Sequence, residues 1–419
     1  MKPPIVGIIA EYNPYHNGHL YQMRRAKEMT SARYCVVVLS GHFMQRGEPA
    51  LYAPADRARM ALLNGADAVF EMPAPFSCAS AKDYALYGIS LLGSLGIPFI
   101  SCGTEKASAE EILAVAARLN GESDAYRNAL RFGLKNGLTF PEARLKAIAA
   151  DLSCSGADDG FIQRSQDILS TPNNILATEY AKAVLSLHSP LKLVTVDRQG
   201  SGYGETELGG FFSSARSVRC HILCGRETKD LETCIPAASF PVLSEAHPVP
   251  TDAFTGCIIR KIIDCLYEGK SFDSYADTGK DLANRIAASA HCAPSYEALV
   301  TSLKTRDVTY THVARSLMHI FLGITKESMQ IYKSGRVAPY ARLIGFRESS
   351  ADLLGILKEN TSVPMISKMA DASSVLDKNM AALSLLLEEV HAASLWNSVY
   401  YDCYREELPN LYEQQMVIV

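Results

Sequence analysis

Along the first half of the chain, short unbroken apolar runs alternate with stretches in which apolar residues recur every three or four positions. Ile5 to Ala10, Tyr34 to Leu39, Ala68 to Phe70, Ile97 to Cys102 and Leu191 to Val196 read as buried strands. Leu20 to Glu28, Pro54 to Asn64, Ala79 to Leu95 and Ala109 to Leu119 carry the helical period, and Pro54 occupies a first-turn position that tolerates proline. Alternation of this kind predicts an α/β fold, a parallel sheet covered by helices on both faces. Ligands of such sheets bind at the carboxyl ends of the strands.

After about residue 219 the strand signals thin out and helical ones dominate, in Phe254 to Tyr267, Tyr296 to Lys304, Thr311 to Gly323 and Ala381 to Ala393. The pattern therefore predicts two units, 1–219 and 220–419, the second mainly α-helical, with a linker near Ser217 to Leu231. No internal repeat or low-complexity tract interrupts them.

With 419 residues, 48% of them apolar and 21% charged, the chain has material for real cores and the composition of a globular protein. No apolar run is long enough to span a bilayer, since Leu383 to Leu387 is followed at once by Glu388 and Glu389. Met1-Lys2-Pro3-Pro4 leads straight into the first strand without the apolar segment of a signal peptide. A cytoplasmic location without membrane association is the expectation. The eleven cysteines are scattered, and the one close grouping, Cys220, Cys224 and Cys234, lacks the paired spacing of a structural zinc site, so no metal ligands are assigned.

The net charge of -4 gives no hint of a nucleic-acid partner, but its distribution does. Lys304, Arg306, Arg315, Lys326, Lys333, Arg336, Arg342 and Arg347 face only Asp307 and Glu327, whereas from Glu348 onward eleven acids meet four bases. Tyr310, His312, Tyr332, Tyr340 and Phe346 are interleaved with the basic stretch, which suits an RNA backbone and splayed bases. Arg315, Lys333, Arg336 and Arg342 are the candidate RNA contacts. A solvated helix face is the plainer reading of the same run.

The chemistry lies after the first strand, in Gly7-Ile8-Ile9-Ala10-Glu11-Tyr12-Asn13-Pro14-Tyr15-His16-Asn17-Gly18-His19-Leu20. His16-Asn17-Gly18-His19 falls where the helical period starts, so two imidazoles and a side-chain-free glycine sit at a helix N-terminus, where free N–H groups and the macrodipole favour an anion. Gly18 lets a phosphate approach the backbone, and the two histidines can stabilise charge developing on a phosphorus centre. Ser213-Ser214-Ala215-Arg216-Ser217-Val218-Arg219 makes a second anion-binding corner, with Ser214 and Arg219 as candidate phosphate contacts, although an ordinary N-cap followed by a surface arginine fits the same residues. Arg46 follows the second strand in Gln45-Arg46-Gly47-Glu48 and can reach a carboxylate or phosphate in the same cleft.

Together the two motifs resemble the nucleotidyltransferase superfamily, and more closely the bacterial tRNA(Met) cytidine acetate ligase family. The resemblance rests on Gly7 to Leu20, Ser40 to Ala50, Cys102-Gly103-Thr104-Glu105, Pro172 to Leu176 with Glu179-Tyr180, Arg198 to Tyr203 and the serine-arginine motif. It implies a Rossmann-like catalytic domain and an ATP-dependent acetylation of N4 of the wobble cytidine in elongator tRNA(Met), through acetyladenylate. ATP and acetate are then co-substrates, and magnesium stays open. Carried over, the Gly7 to Leu20 stretch, Gly103, Asn173 and Arg198 contact ATP, with His16 and His19 catalytic. Physical reasoning agrees: Gly103 permits close approach after a strand, Asn173 precedes a helix, and Arg198 follows the last strand at the same sheet edge. As plain structure, Asn173 would be a helix cap and Arg198 a solvated loop charge. The chain departs from the family pattern at Arg216, where threonine is usual, and at Gly204, where histidine is usual. Two rival readings remain from the residues alone, a small-molecule adenylyltransferase and a non-catalytic RNA-binding protein. No protein partner is inferable.

Overall fold

The computed structural model describes residues 4–200, 207–289, 291–335 and 337–419. Its centre is a mixed sheet in the order β10-β8-β5-β2-β1-β6-β7, with β9 paired to β8. The strands are β1 (Ile5–Ala10), β2 (Tyr34–Ser40), β5 (Ala68–Met72), β6 (Phe99–Thr104), β7 (Lys192–Asp197), β8 (Ala341–Phe346), β9 (Met365–Ile366) and β10 (Val417–Ile418); β3 (Phe43–Met44) and β4 (Glu48–Pro49) form a separate small hairpin. The five strands expected from the apolar runs are all present and mutually parallel.

Side-chain alternation divides β1 and β2 between two cores. Val6, Ile8, Cys35, Val37 and Leu39 pack with Met23 and Ala26 of helix α1 (Asn17–Thr30) and with Ala58, Ala61 and Leu62 of helix α2 (Pro54–Leu63). Ile5, Ile9, Val36 and Val38 pack on the other face with Tyr84, Leu91 and Leu92 of the helix Ala81–Ser94. That helix lies unusually close to β1. A Cβ at Gly88 would come within 2.4 Å of Ile9 and one at Gly7 within 2.6 Å of Leu92, so a side chain at either position would make these core residues shift.

Five helices, from Ala109–Gly121 to Pro172–Ser186, are inserted between β6 and β7. The chain after residue 219 is mainly helical, as its pattern predicts, but it also completes the sheet. β8 runs antiparallel to β5, with Ala68 opposite Phe346 and Val69 opposite Gly345. The core holding Ile9 and Val38 also contains Leu299, Leu317 and Trp396, so the boundary expected at residue 219 does not divide the packing. No described helix is long and apolar enough to cross a membrane.

The strand β8 corrects one site expectation. Arg342 was expected to meet RNA, yet its position within β8 leaves the residue only 6% exposed, with its guanidinium on the Glu71 carboxylate of β5. A buried guanidinium cannot meet an RNA backbone. Removing one partner of such a pair leaves an uncompensated buried charge, which costs about 3–5 kcal/mol. Arg342→Met should therefore destabilise the protein by that order in denaturant melts, and adding Glu71→Met should recover much of the loss. A single variant as stable as the wild type would show that the pair is not structural.

Candidate functional site

β1, β2, β6 and β7 are parallel, so their carboxyl ends lie at one edge of the sheet, and α1 begins seven residues after β1 ends. His16 is the N-cap of α1: its Nδ1 accepts from the Gly18 N–H at 3.0 Å. The His19 Nδ1 accepts in turn from the His16 N–H at 3.3 Å, closing a reciprocal capping box in imidazole form. The two rings stack with centroids 3.7 Å apart, and Tyr12 and Tyr15 pack around His19.

This geometry fixes the chemistry of both rings. A backbone N–H can only donate, so each Nδ1 is an unprotonated acceptor and the proton of each neutral ring sits on Nε2. Burial, followed by the charges of Arg198 and Arg219, lowers the His16 pKa to about 3. Burial, the neighbouring His16 and Arg198 push His19 down as well. The structure thus presents two neutral, oriented Nε2–H donors at a helix N-terminus.

The signature loop is held from two sides. Toward β2 and its following hairpin, the Arg57 guanidinium donates to the Glu11 carbonyl at 2.7 Å, the Tyr52 carbonyl at 3.0 Å and the Gly41 carbonyl. Asn13 Oδ1 accepts from the Leu51 N–H at 2.8 Å, and Glu11 Oε1 from the Gln45 N–H at 2.8 Å. Toward the second corner, Arg219 donates to the Asn13 carbonyl at 2.8 Å, and the Asn17 amide donates to the carbonyls of Thr233 and Phe211 at 3.0 and 3.2 Å. The Asn13–Pro14 peptide is cis.

The other expected residues gather at the same strand ends. Gly103 closes β6 beside Arg198, whose backbone N–H donates to the Thr104 carbonyl at 2.9 Å. Asn173 stands at the start of its helix and donates to Glu105 Oε1 at 2.6 Å, while Asn174 holds the Glu105 backbone from both its amide atoms. Asn173 is thus engaged by Glu105, and the N-cap of that helix is Thr171. Arg46 is half-buried and lies within the fields of Glu11, Glu48, Arg216 and Arg219. Ser214 caps the helix Ala215–Leu223, accepting from the Ser217 N–H at 3.1 Å. The ordinary capping reading of that serine is what the geometry displays, whereas Arg219 reaches the signature loop.

The basic stretch does not form one face. Besides Arg342, the candidate RNA contact Arg315 is bonded through Nε to Asp277 at 2.7 Å with its side chain 13% exposed. Lys333 lies 3.3 Å from Asp83. Arg336 lies outside the described residues, as do Ser201 to Tyr203 and Gly204. Sequence reasoning missed Arg57, whose setting Asp56-Arg57-Ala58-Arg59 reads as a solvated helix start. It also gave no role to Glu105, although the residue lies in a stretch shared with the resembled family.

Among the described residues, one group has metal-ligand spacing, His42, Glu71 and Glu389, and all three are buried. Protein groups engage all three residues, but Glu71 Oε1 is buried with no hydrogen-bond partner. Arg342 engages Glu71, the Ala74 N–H donates to Glu389 at 2.5 Å, and His42 lies 3.2 Å from the same carboxylate. Arg57 and Arg342 place two positive charges beside the two carboxylates.

Residues 3–407 match the family described as HIGH nucleotidyl transferase. The chain is 32% identical over 401 residues to the tRNA(Met) cytidine acetate ligase of Clostridium novyi (strain NT), covering 95% of this chain and 97% of the relative. It is 33% identical over 413 residues to the enzyme of that name from Acetivibrio thermocellus, covering 96% and 95%. The apo crystal structure of Thermotoga maritima TmcAL superimposes with a TM-score of 0.91 at 25% identity over 99% of both chains. A second structure of that protein, bound with alpha-thio ATP, shares the fold with a TM-score of 0.89 at 24% identity, again over 99% of both.

The neutrality of the two rings is directly measurable. Because the folded-state His16 pKa lies below the ordinary imidazole value, the unfolded chain takes up protons first on acidification, so stability is lost as the pH falls below about 6.5. In protein labelled with 15N-histidine, both residues should show neutral Nε2–H tautomers at neutral pH, and His16 should keep its tautomer down to about pH 5, roughly two units above its lowered value. A transition near pH 6.5 at either ring would refute the assignment.

Proposed function

The chain belongs to the HIGH nucleotidyl transferase family and, within it, to the tRNA(Met) cytidine acetate ligases, and we propose that it acetylates tRNA at the expense of ATP. The observation that carries the reading is the pair of neutral Nε2–H donors at the N-terminus of α1, within the fields of Arg198 and Arg219, with Arg46 in turn near Arg216 and Arg219. Fixed donors and guanidinium groups around a helix start suit a triphosphate, whose charge they offset without reorganising during reaction.

In the first step, an acetate oxygen attacks the α-phosphorus of ATP. The bond from that phosphorus to the bridging oxygen breaks, giving acetyladenylate and pyrophosphate. His16 and His19 donate to phosphate oxygens whose charge grows toward the transition state, and the arginines take the departing pyrophosphate. Gly103 gives the nucleotide access to the backbone beside Arg198, and Asn173 and Glu105 orient it from the neighbouring helix start. In the second step, N4 of the wobble cytidine of elongator tRNA(Met) attacks the acetyl carbon, AMP leaves, and the amine loses a proton. Magnesium accompanying the triphosphate fits Glu105, whose second carboxylate oxygen is buried with no hydrogen-bond partner, and it would neutralise phosphate charge. A tRNA and ATP as substrates support a cytoplasmic location.

Purified protein given ATP, acetate and bulk tRNA should produce N4-acetylcytidine, read by mass spectrometry of the nucleosides. Without tRNA it should exchange labelled pyrophosphate into ATP in an acetate-dependent manner. His16→Ala or His19→Ala should reduce this exchange about 10²-fold or more, the scale for losing one preorganised donor, with a much smaller loss of ATP affinity. Exchange that is absent with and without tRNA would remove the adenylate step. AMP transfer to a small phosphorylated acceptor instead would mark the chain as a small-molecule adenylyltransferase.

A further inference from the structure

The corrected charges leave a question of where RNA docks, and an unassigned surface answers it. The helices Asp124–Lys135 and Phe140–Cys154 pack as a hairpin whose turn spans 136–139. At its tip Phe132, Phe140 and Leu134 are exposed to 72%, 52% and 44%. Single exposed apolar residues are ordinary, but three at one hairpin tip form a patch that folding alone does not require. Arg131 and Lys135 are exposed on the last turn of the first helix, and Lys146 on the second. The two helices carry five basic residues, of which Arg144 is buried and Arg127 pairs with Asp124, against Asp124, Glu142 and Asp151.

The tip is also joined to the rest of the basic stretch. The Glu142 carboxyl is held below its usual range first by the Thr139 N–H and hydroxyl, then by the nearby positive charges of Arg306 and Lys146. Arg306 and Lys304 are exposed in the loop after the helix Tyr296–Leu303, with Asp307 as the acid between that loop and the next helix. This loop ends at the half-buried Tyr310, which lies within the fields of Glu48 and Arg216. Tyr296, at the start of the preceding helix, donates to the Gly47 carbonyl at 2.6 Å. The hairpin tip thus lies near the loop that carries Arg306, and the residue ending that loop, Tyr310, lies toward Glu48 and Arg216.

We propose that this surface, formed by Arg131, Phe132, Lys135 and Phe140 of the hairpin tip with Lys304 and Arg306, docks the single-stranded loop of the tRNA. The proposal rests on the acetylation reading and adds to it the place where the RNA is held. Exposed aromatic faces stack with unpaired bases whatever their identity, and flanking cations track the phosphates. A stem duplex offers no such bases, so the phenylalanines favour a loop, and a target base in a loop is also the one that can enter a cleft without unpairing. The hairpin lies in the insertion between β6 and β7, so the catalytic half itself supplies most of the contact.

The test uses the full chain with unmodified tRNA and with a stem duplex of equal length. Phe132→Ala/Phe140→Ala should weaken tRNA binding about 10-fold or more, the scale expected for losing two stacked bases, while leaving duplex binding nearly unchanged. Phe132→Tyr/Phe140→Tyr, which keeps the ring faces, should restore it. Lys135→Glu/Arg306→Glu should reduce the slope of log affinity against log salt by roughly 0.7 per lost single-strand phosphate contact. Acetate-dependent pyrophosphate exchange should survive in all three variants, and this keeps the test separate from the reaction itself. A wild type that binds tRNA without acetylating it would defeat the acetylation reading and leave the surface standing. Unchanged tRNA affinity in exchange-competent alanine and charge variants would overturn the surface. A change in sedimentation with no change in RNA affinity would also overturn it, assigning the patch to self-association.

Discussion

Everything at the cleft depends on how one fully buried arginine is satisfied. Arg57 has no exposed surface, and its guanidinium donates to carbonyls of Glu11, Gly41 and Tyr52. These carbonyls belong to the end of β1, the end of β2 and the entry to α2, three segments with no regular pairing to each other at that point. Burial lowers the Arg57 pKa to about 10, against the opposing pull of Glu11, Glu71, Asp56 and Glu389, so the group stays charged at neutral pH. A charge buried this way must keep every partner, and the strand ends are therefore locked at fixed separations. The signature loop inherits that rigidity, which is what orients two imidazoles to within hydrogen-bond geometry.

The end of the chain reinforces the same region. The long helix Met380–Tyr404 places Glu389 against Gly41, where a Cβ would stand 2.6 Å from the carboxylate, and against the Ala74 N–H. Burial pushes the Glu389 carboxyl up to about 7, and burial pushes the adjoining His42 down to about 3. Trp396 from the same helix donates to the Ala50 carbonyl at 3.0 Å. Asp67, just before β5, accepts from Lys27 and Cys35 of the first half and from Ser350 of the second. Segments more than 300 residues apart thus share single polar groups. Removing the second half would strip β8 and β10 from the β5 side of the sheet and expose these groups.

Much of this was legible from residue order, for identifiable reasons. β1, β2, β5, β6 and β7 announce themselves because a parallel strand covered on both faces is apolar throughout, and the signature follows β1 directly. β8 did not, because Ala341-Arg342-Leu343-Ile344-Gly345-Phe346 carries a charge that the sheet neutralises with Glu71, a partner 271 residues away. The same cause misled the reading of the basic stretch. Local sequence counts charges but does not show that Arg315 meets Asp277 or that Arg342 lies inside a sheet. Arg57 was illegible for the converse reason, since its partners are backbone carbonyls and leave no mark on residue type.

The division of labour between the two kinds of cation-capable side chain follows from where each is placed. Arginine remains protonated at any pH the protein meets, so Arg198 and Arg219 contribute constant positive potential, and that potential helps to keep His16 uncharged. A protonated His16 would have to turn its Nδ1 proton against the Gly18 N–H that now donates to it, breaking the cap at the start of α1. Charge and orientation are thereby assigned to different residues: the guanidinium groups supply the field, and the imidazoles supply directed donors whose tautomer the backbone enforces. Such a site does not reorganise as negative charge shifts between phosphate oxygens. That is the condition under which a weak nucleophile with little binding surface of its own, such as a small carboxylate, can be activated by positioning and electrostatics alone.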